Sequence, residues 1–262
     1  MYIIYICCVQ FQPSTFKTKK MKALKLLSIA GIAFIANMTI FAQEAGKQAE
    51  LLSFEAFDYK LQKAPNPQIV DVRSEEEYKQ IHIKGARQLD ISNEAAVDKL
   101  ISQLDKNKPV FIYSINNGRS VTFFQVLKNK QFKEAYVLPG GLAKWVGAGK
   151  PVESTTSTGL SFSDYKKQIV SDKLVLVEVV SQYCGGCKKL IPVVETLGNE
   201  NPGKLKVVKI DLFENKQLGK DLNIQSVPTL LLYKNGEIVW QKNGSIPKEA
   251  IESAIHKDYA SN

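Results

Sequence analysis

Residues 181–189 read Ser-Gln-Tyr-Cys-Gly-Gly-Cys-Lys-Lys and place two cysteines three positions apart. The stretch follows the apolar run Leu174–Val180 and leads into a helical pattern over residues 188–197, so a buried strand passes into a helix at the two thiols. Unpaired backbone N–H groups and the helix dipole favour a thiolate at such a position. We therefore predict that Cys184 is a nucleophile and that Cys187, one helical turn later, resolves a mixed disulfide formed at Cys184.

Two other uses of a cysteine pair are less consistent with this sequence. A zinc site needs four ligands, and after residue 42 the chain offers only His82 and His256 besides the pair, so no metal is predicted. A purely structural disulfide across four residues would close a very short loop and stabilise little. Thiol–disulfide exchange explains the spacing better than either alternative.

A second set of motifs follows the cysteines. Ser226-Val227-Pro228-Thr229 precedes an apolar strand, the turn Asn235-Gly236 and a second strand over residues 238–241. Together with the strand, Cys-X-X-Cys and helix order, these motifs resemble the thioredoxin family from residue 159 to about residue 259. The resemblance implies a mixed sheet flanked by helices. It also implies protein thiol and disulfide substrates, an external electron donor or acceptor, and no cofactor beyond the redox-active disulfide Cys184–Cys187.

The resemblance also assigns roles around the cysteines. Pro228 matches a cis-proline that faces the disulfide, and the backbone of Val227 would then be exposed for pairing with an extended substrate segment. Tyr183 stands at the substrate-facing position before the first cysteine, where the family usually has tryptophan. Gly185-Gly186 replaces the usual Gly-Pro, which makes the turn more flexible and leaves the direction of electron flow open.

Two charged residues complete the predicted catalytic set. Glu178 matches a buried carboxylate that takes a proton from the second cysteine, and Lys209 matches a lysine beside that carboxylate. Burial among apolar residues should raise the pKa of Glu178 into a range useful for proton transfer. The alternative is that Glu178 reaches solvent at a sheet edge.

The preceding region has a different pattern. Strands are predicted over residues 68–72, 86–91, 109–113 and 135–138. They alternate with helices that begin at Ser53, begin at Ser74, span residues 94–104 and follow Ser120. Such alternation predicts a parallel α/β sheet.

Three motifs in this region resemble the rhodanese family: Asp71-Val72-Arg73, the run Ile-His-Ile-Lys-Gly-Ala at 81–86, and Leu-Pro-Gly-Gly-Leu-Ala-Lys-Trp at 138–145. A rhodanese carries sulfur on a cysteine in a loop after its central strand. Ser114 holds that position here, so sulfurtransferase activity is not expected. The degenerate loop includes Gly118, one place later than the family's glycine, and Arg119, which would contact an anion if the loop binds one.

The first 42 residues contain five lysines and no acidic residue. A basic start at residues 21–25, an apolar segment over 26–41 and a small residue, Ala42, predict a secretory signal peptide, with Met21 as an alternative start. An uncleaved N-terminal anchor is the alternative and would be the only membrane contact. The remaining chain carries 30 basic and 26 acidic groups, a net charge of +4, which does not favour nucleic-acid binding.

These patterns predict an α/β protein of two domains after a signal peptide: a rhodanese-like domain at residues 43–153 and a thioredoxin-like domain at 154–262, joined by a linker over 150–159. The functional hypothesis is a periplasmic or secreted thiol–disulfide oxidoreductase of the bacterial envelope, with a non-catalytic first domain that binds a partner or an anion. A non-enzymatic adaptor and a sulfur-relay protein are the alternatives.

Overall fold

The computed structural model describes residues 52–156 and 159–259. The predicted signal peptide, residues 1–42, lies outside these ranges. Within them, none of the helices has both the length and the apolarity that crossing a membrane requires.

The first half of the described chain alternates helices and short strands, as predicted. Its elements are α1 (Phe54–Lys63), β1 (Gln68–Asp71), α2 (Glu75–Gln80), β2 (Ile81–His82), β3 (Arg87–Gln88), α3 (Glu94–Ser102), β4 (Val110–Tyr113), α4 (Gly118–Asn129), β5 (Ala135–Val137), α5 (Gly141–Gly147) and β6 (Glu153–Ser154). β1, β3, β4 and β5 form a sheet in the order β3-β1-β4-β5, and each neighbouring pair is parallel. The predicted parallel sheet is therefore confirmed.

Side-chain caps start the first two helices at the predicted residues. Ser53 Oγ accepts a hydrogen bond from the backbone N–H of Ala56 at 3.1 Å. Ser74 and Glu77 form a reciprocal capping box at the start of α2. The predicted strand over 86–91 is only two residues long in the structure. The helix expected after Ser120 begins earlier, at Gly118, because the carbonyl oxygen of the preceding loop residue already accepts the first helical hydrogen bond.

The second half contains α6 (Phe162–Ile169), β7 (Leu174–Val180), α7 (Gly185–Glu200), β8 (Leu205–Asp211), α8 (Lys216–Asp221), β9 (Thr229–Lys234), β10 (Glu237–Asn243) and α9 (Lys248–Tyr259). Its sheet has the order β10-β9-β7-β8. β7 is parallel to β8 and antiparallel to β9, which is antiparallel to β10. The predicted mixed sheet is confirmed, and all seven residues of its inner strand β7 are buried.

The segment between the halves is bonded to both of them. β6 pairs antiparallel with β2. Trp145 Nε1 donates to the carbonyl oxygen of Pro151 at 2.9 Å, and Thr156 Oγ1 donates to that of Phe213 at 2.8 Å. The segment predicted to be a linker is therefore held to both halves by hydrogen bonds of its backbone and hydroxyl groups.

The two halves belong to one compact unit. α5 of the first half packs against α8 of the second, and the approach is so close that a Cβ on Gly147 would lie 1.8 Å from the carbonyl oxygen of Ile224. One cluster of buried side chains continues through both halves and includes Tyr113, Leu142 and Cys184.

Candidate redox site

The two cysteines lie at the start of α7, as predicted. Cys184 is the N-cap residue, and its Sγ accepts a hydrogen bond from the backbone N–H of Cys187 at 3.2 Å. The two residues form a disulfide, with their Cα atoms 5.2 Å apart. A sulfur in this position receives both a direct N–H donor and the positive end of the helix dipole, which stabilise negative charge on Cys184 when the disulfide is reduced.

The loop before β9 lies against the disulfide. The carbonyl oxygen of Val227 is 3.5 Å from Cys184 Sγ, and the Val227–Pro228 peptide is cis, as the resemblance implied. A Cβ on Gly186 would lie 3.4 Å from Cδ of Pro228 and 3.9 Å from Cys184 Sγ. Pro228 therefore lies beside the Gly185-Gly186 turn, and little room separates it from the sulfur.

Glu178 lies in the middle of the mixed sheet. It is 1 % exposed, on a strand with neighbours on both sides, which excludes the alternative that it reaches solvent at a sheet edge. Its Oε1 has no hydrogen-bond partner among the described residues. Burial raises the pKa of Glu178 to about 7, and the charge of Lys209 opposes this shift. The predicted direction of the pKa shift and its physical cause are therefore both present.

Lys209 is the direct neighbour of Glu178 across the β7–β8 pair. Its side chain is exposed, so the ammonium is solvated and its field at the carboxyl is weakened. Glu195 on α7, also exposed, acts in the opposite direction and raises the pKa of Glu178. Two solvated charges thus act on the pKa of the buried Glu178 carboxyl group in opposite directions: Lys209 lowers it and Glu195 raises it.

The predicted substrate-binding residues are less accessible than expected. Tyr183 is half-buried and packs against the apolar cluster shared by the two halves. Val227 is 1 % exposed, and its carbonyl oxygen accepts a hydrogen bond from Nδ2 of Asn116 at 2.8 Å. The first half therefore covers the Val227 backbone, and pairing with a substrate segment requires this bond to break. The motifs gave no sign of Asn116, since no local pattern relates residues 111 positions apart.

Ser114 follows the central strand β4, at the predicted position, and is 1 % exposed. Its Oγ donates to the carbonyl oxygen of Asn116 at 2.9 Å and lies 3.3 Å from Oγ of Ser120. Its own carbonyl oxygen accepts from the N–H of Leu142 at 2.8 Å. The Ser114 hydroxyl therefore makes its hydrogen bonds within its own loop and to the start of α4.

Arg119 in the first half is already paired. Its Nη1 and Nη2 donate to the two carboxylate oxygens of Glu77 at 2.6 and 2.7 Å, and the Glu77 side chain is 4 % exposed. The prediction that Arg119 contacts an anion if the loop binds one stays a prediction, and such an anion would have to compete with the Glu77 carboxylate for the guanidinium. Gly118 is exposed and is the first residue of α4, where a Cβ would meet nothing within 4 Å.

Comparison with known proteins agrees with the two predicted domains. The family model for a rhodanese-like domain matches residues 58–148, and the thioredoxin model matches residues 156–257. The thioredoxin of Bacillus subtilis (strain 168) is 41 % identical over 87 residues, which cover 33 % of this chain and 84 % of that protein. The chain belongs to the thioredoxin family. The thioredoxin of Rickettsia felis is 38 % identical over 96 residues, which cover 36 % of this chain and 91 % of that protein.

A solved structure of a mutant thioredoxin from Halobacterium salinarum NRC-1 shares 31 % sequence identity and covers 38 % of this chain and 87 % of its own, with a TM-score of 0.35. In this chain the thioredoxin domain follows a rhodanese-like domain, in the predicted order. Membership of the thioredoxin family gives the chain the machinery of a thiol–disulfide oxidoreductase that acts on protein thiols and disulfides.

Proposed function

We propose that this chain is a periplasmic or secreted protein of the bacterial envelope that exchanges disulfides with protein substrates through Cys184 and Cys187. The observation that carries the proposal is the N–H···S hydrogen bond at the start of α7, because it places a donor and the helix dipole on Cys184 Sγ. The rhodanese-like half serves partner binding and does not transfer sulfur.

The reaction is a two-step exchange. In the reduced protein, the Cys184 thiolate attacks one sulfur of a substrate disulfide, forms a mixed disulfide and releases the other substrate sulfur as a thiolate, which takes up a proton. The Cys187 thiol then loses its proton and attacks Cys184 Sγ. This forms the Cys184–Cys187 disulfide and releases the second substrate thiol. An external dithiol returns two electrons to the pair and is itself oxidised to a disulfide.

Glu178 is the proposed proton acceptor for Cys187. A carboxyl whose pKa is about 7 is partly ionised at neutral pH, so it can accept a proton and return it. Lys209 modulates this pKa through its charge. Pro228 and Tyr183 shape the surface beside Cys184, and the Val227 backbone, once uncovered, is the proposed pairing point for an extended substrate segment.

The activity is tested with insulin as the protein disulfide and dithiothreitol as the reductant. We expect the purified chain to accelerate insulin reduction over dithiothreitol alone. Absence of acceleration would favour the non-enzymatic adaptor. Sulfur relay requires a persulfide carrier in the first half, and thiosulfate-to-cyanide transfer that persists when both cysteines are replaced by serine would support it instead.

The direction of electron flow follows from the reduction potential of the Cys184–Cys187 pair. Equilibration with glutathione measures it, and about 30 mV corresponds to a tenfold change in the two-electron equilibrium. A potential well below that of glutathione identifies a reductase. A much higher one identifies an oxidant or isomerase.

The compartment is proposed from residues 1–42, whose basic start and apolar segment are typical of a secretory signal. Disulfides persist outside the cytosol, where such a pair has partners. Cell fractionation and N-terminal sequencing test this proposal: a mature chain that begins after Ala42 supports secretion with cleavage, and an intact N-terminus in the membrane fraction supports the anchor.

A further inference from the structure

Three residues of the rhodanese-like half lie against the segment that leads into Pro228. We call these residues, Asn116, Gly140 and Gly147, the cover. A Cβ on Gly147 would meet the carbonyl oxygen of Ile224 at 1.8 Å, and one on Gly140 would lie 3.1 Å from that of Gln225. Asn116 Nδ2 is bonded to the carbonyl oxygen of Val227 at 2.8 Å. Three contacts therefore lie along one short stretch of backbone, residues 224–227, and the last of them is next to the redox disulfide.

The disulfide beside this cover is closed to solvent. Cys184 is 1 % exposed and Cys187 is 0 % exposed. Disulfide exchange needs a sulfur of the partner within bonding reach of Cys184 Sγ, and that approach requires open space around the sulfur. Any partner must gain access to this sulfur, and a protein partner must in addition find room for its backbone beside residues 224–227.

Asn116 is the polar contact of this cover with the redox loop. Its Nδ2 is bonded to Val227, whereas its Oδ1 is buried and has no hydrogen-bond partner among the described residues. The amide therefore holds the Val227 carbonyl through this one hydrogen bond, which is lost when the loop moves away. Ser114 Oγ, which donates to the Asn116 carbonyl, keeps the loop in shape around it.

We propose that Asn116 is a specificity-determining residue, which holds the Val227 carbonyl and thereby favours small disulfides over protein disulfides as partners of Cys184. The inference rests on the proposed function, since it concerns the partners of the same exchange. A protein partner that lays its backbone over residues 224–227 must displace Asn116 from the Val227 carbonyl. A small disulfide needs only access to the sulfur.

The test compares two disulfides in the full-length reduced protein: insulin, and the small aromatic disulfide 5,5′-dithiobis(2-nitrobenzoic acid), which has no peptide backbone. Second-order rate constants are measured for both with the wild type and with Asn116→Ala. We expect the insulin rate constant to rise about fivefold in the variant, the factor that one neutral hydrogen bond is typically worth. The rate constant for the small disulfide should change less than about twofold. The ratio of the insulin rate constant to the small-disulfide rate constant therefore rises in the variant.

Two further variants separate the hydrogen bond from other effects. Asn116→Leu keeps the side-chain size, adds no charge and loses the N–H donor, so it should shift the ratio as Asn116→Ala does. Asn117→Ala is the matched control, because Asn117 is adjacent and its side chain makes no capping bond. It should leave the ratio unchanged.

The outcomes decide between the inference and the proposed function. An unchanged ratio in both Asn116 variants, with reduction of both disulfides intact, overturns the inference and leaves the function standing. A shift in Asn117→Ala, or in the alanine but not the leucine variant of Asn116, also overturns it. A wild type that reduces neither disulfide overturns the proposed function, and the inference with it.

Discussion

The two halves each contain a buried strand that ends in a turn before a helix, yet only one turn has the chemistry of a nucleophile. β4 and β7 are buried along their whole length and are followed by α4 and α7. In the second turn, Sγ of Cys184 is itself the helix cap. In the first turn, Oγ of Ser114 is bonded within its own loop, three residues before the N-cap Asn117. The same architecture thus presents a sulfur to the helix donors in one half and a serine hydroxyl bonded within its own loop in the other.

The charged groups near the two turns differ in whether they have a partner within the part of the chain that the structure describes. Near the first turn, the Arg119 guanidinium is neutralised by a buried carboxylate, that of Glu77. Near the second, Glu178 is buried with one oxygen unbonded among the described residues, and burial raises its pKa. An ion pair such as Arg119–Glu77 stabilises the structure, whereas a buried carboxyl group without a partner in the described ranges, such as that of Glu178, can bind and release a proton.

The largest effect is expected at the cysteines. Cys184→Ser should reduce insulin turnover to the rate with dithiothreitol alone, because the attacking thiolate is gone. Cys187→Ser should keep the first attack and accumulate a mixed disulfide with the substrate, because no resolving thiol remains. Non-reducing gels and mass spectrometry detect that adduct. If a limiting amount of an alkylating reagent labelled Cys187 before Cys184, Cys187 would be the attacking thiol and Cys184 the resolving one.

The next largest effect is expected where the halves touch. Gly147→Ala places a methyl group 1.8 Å from the carbonyl oxygen of Ile224. The backbone has to move to relieve this clash. We expect the free energy of unfolding to fall by about 3 kcal/mol or more, at or above the upper end for overpacking. Chemical denaturation measures it. Gly118→Ala is the matched control, since nothing lies within 4 Å of its Cβ position, and an equal loss there would contradict the tight contact.

An intermediate, pH-dependent effect is expected at Glu178. The pKa rises from 4.5 to about 7 on folding, so between these values the unfolded state releases its proton first and wild-type stability falls as pH rises. Glu178→Gln should remove this slope, which amounts to about 3 kcal/mol across the window. Denaturation below pH 4.5 and above pH 7, on either side of the window, measures it.

The same substitution should slow resolution of the mixed disulfide by about a hundredfold and remove the inflection near pH 7 from its rate. Glu237→Gln serves as the control because Glu237 is an exposed acid on the edge strand β10, which β9 separates from β7. A pH profile identical to that of the wild type would remove Glu178 from the mechanism.

The smallest effect is expected from Ser114→Cys. The wild type should transfer no sulfur from thiosulfate to cyanide, whereas a thiol at this position has the sulfur-carrying atom that serine lacks. We expect weak activity, because Arg119 is engaged by Glu77 and cannot turn fully to an anion. Sulfur transfer by the wild type, retained when Cys184 and Cys187 are both serine, would contradict the non-catalytic assignment.

Much of the local structure follows from the sequence. The starts of α1 and α2 were predicted from Ser53 and Ser74, and Cys184 was predicted at the start of a helix, because capping and strand periodicity depend on residues a few positions apart. The domain order was also predictable, since each half contains its own short motifs. Strand limits were less accurate: pairing partners set the length of β3, and a linear pattern does not contain them.

The sequence by itself determined the two α/β halves, the cysteine pair and the loss of the sulfur-carrying cysteine at Ser114. Only the tertiary structure decided that Glu178 is enclosed on an inner strand, that Arg119 is bound by Glu77, and that Asn116 covers Val227. The physical reason is that burial and long-range hydrogen bonds depend on the packing of distant segments. The amide of Asn116 and the backbone of Val227 are 111 positions apart in the chain, and only the close packing of the two halves brings them together.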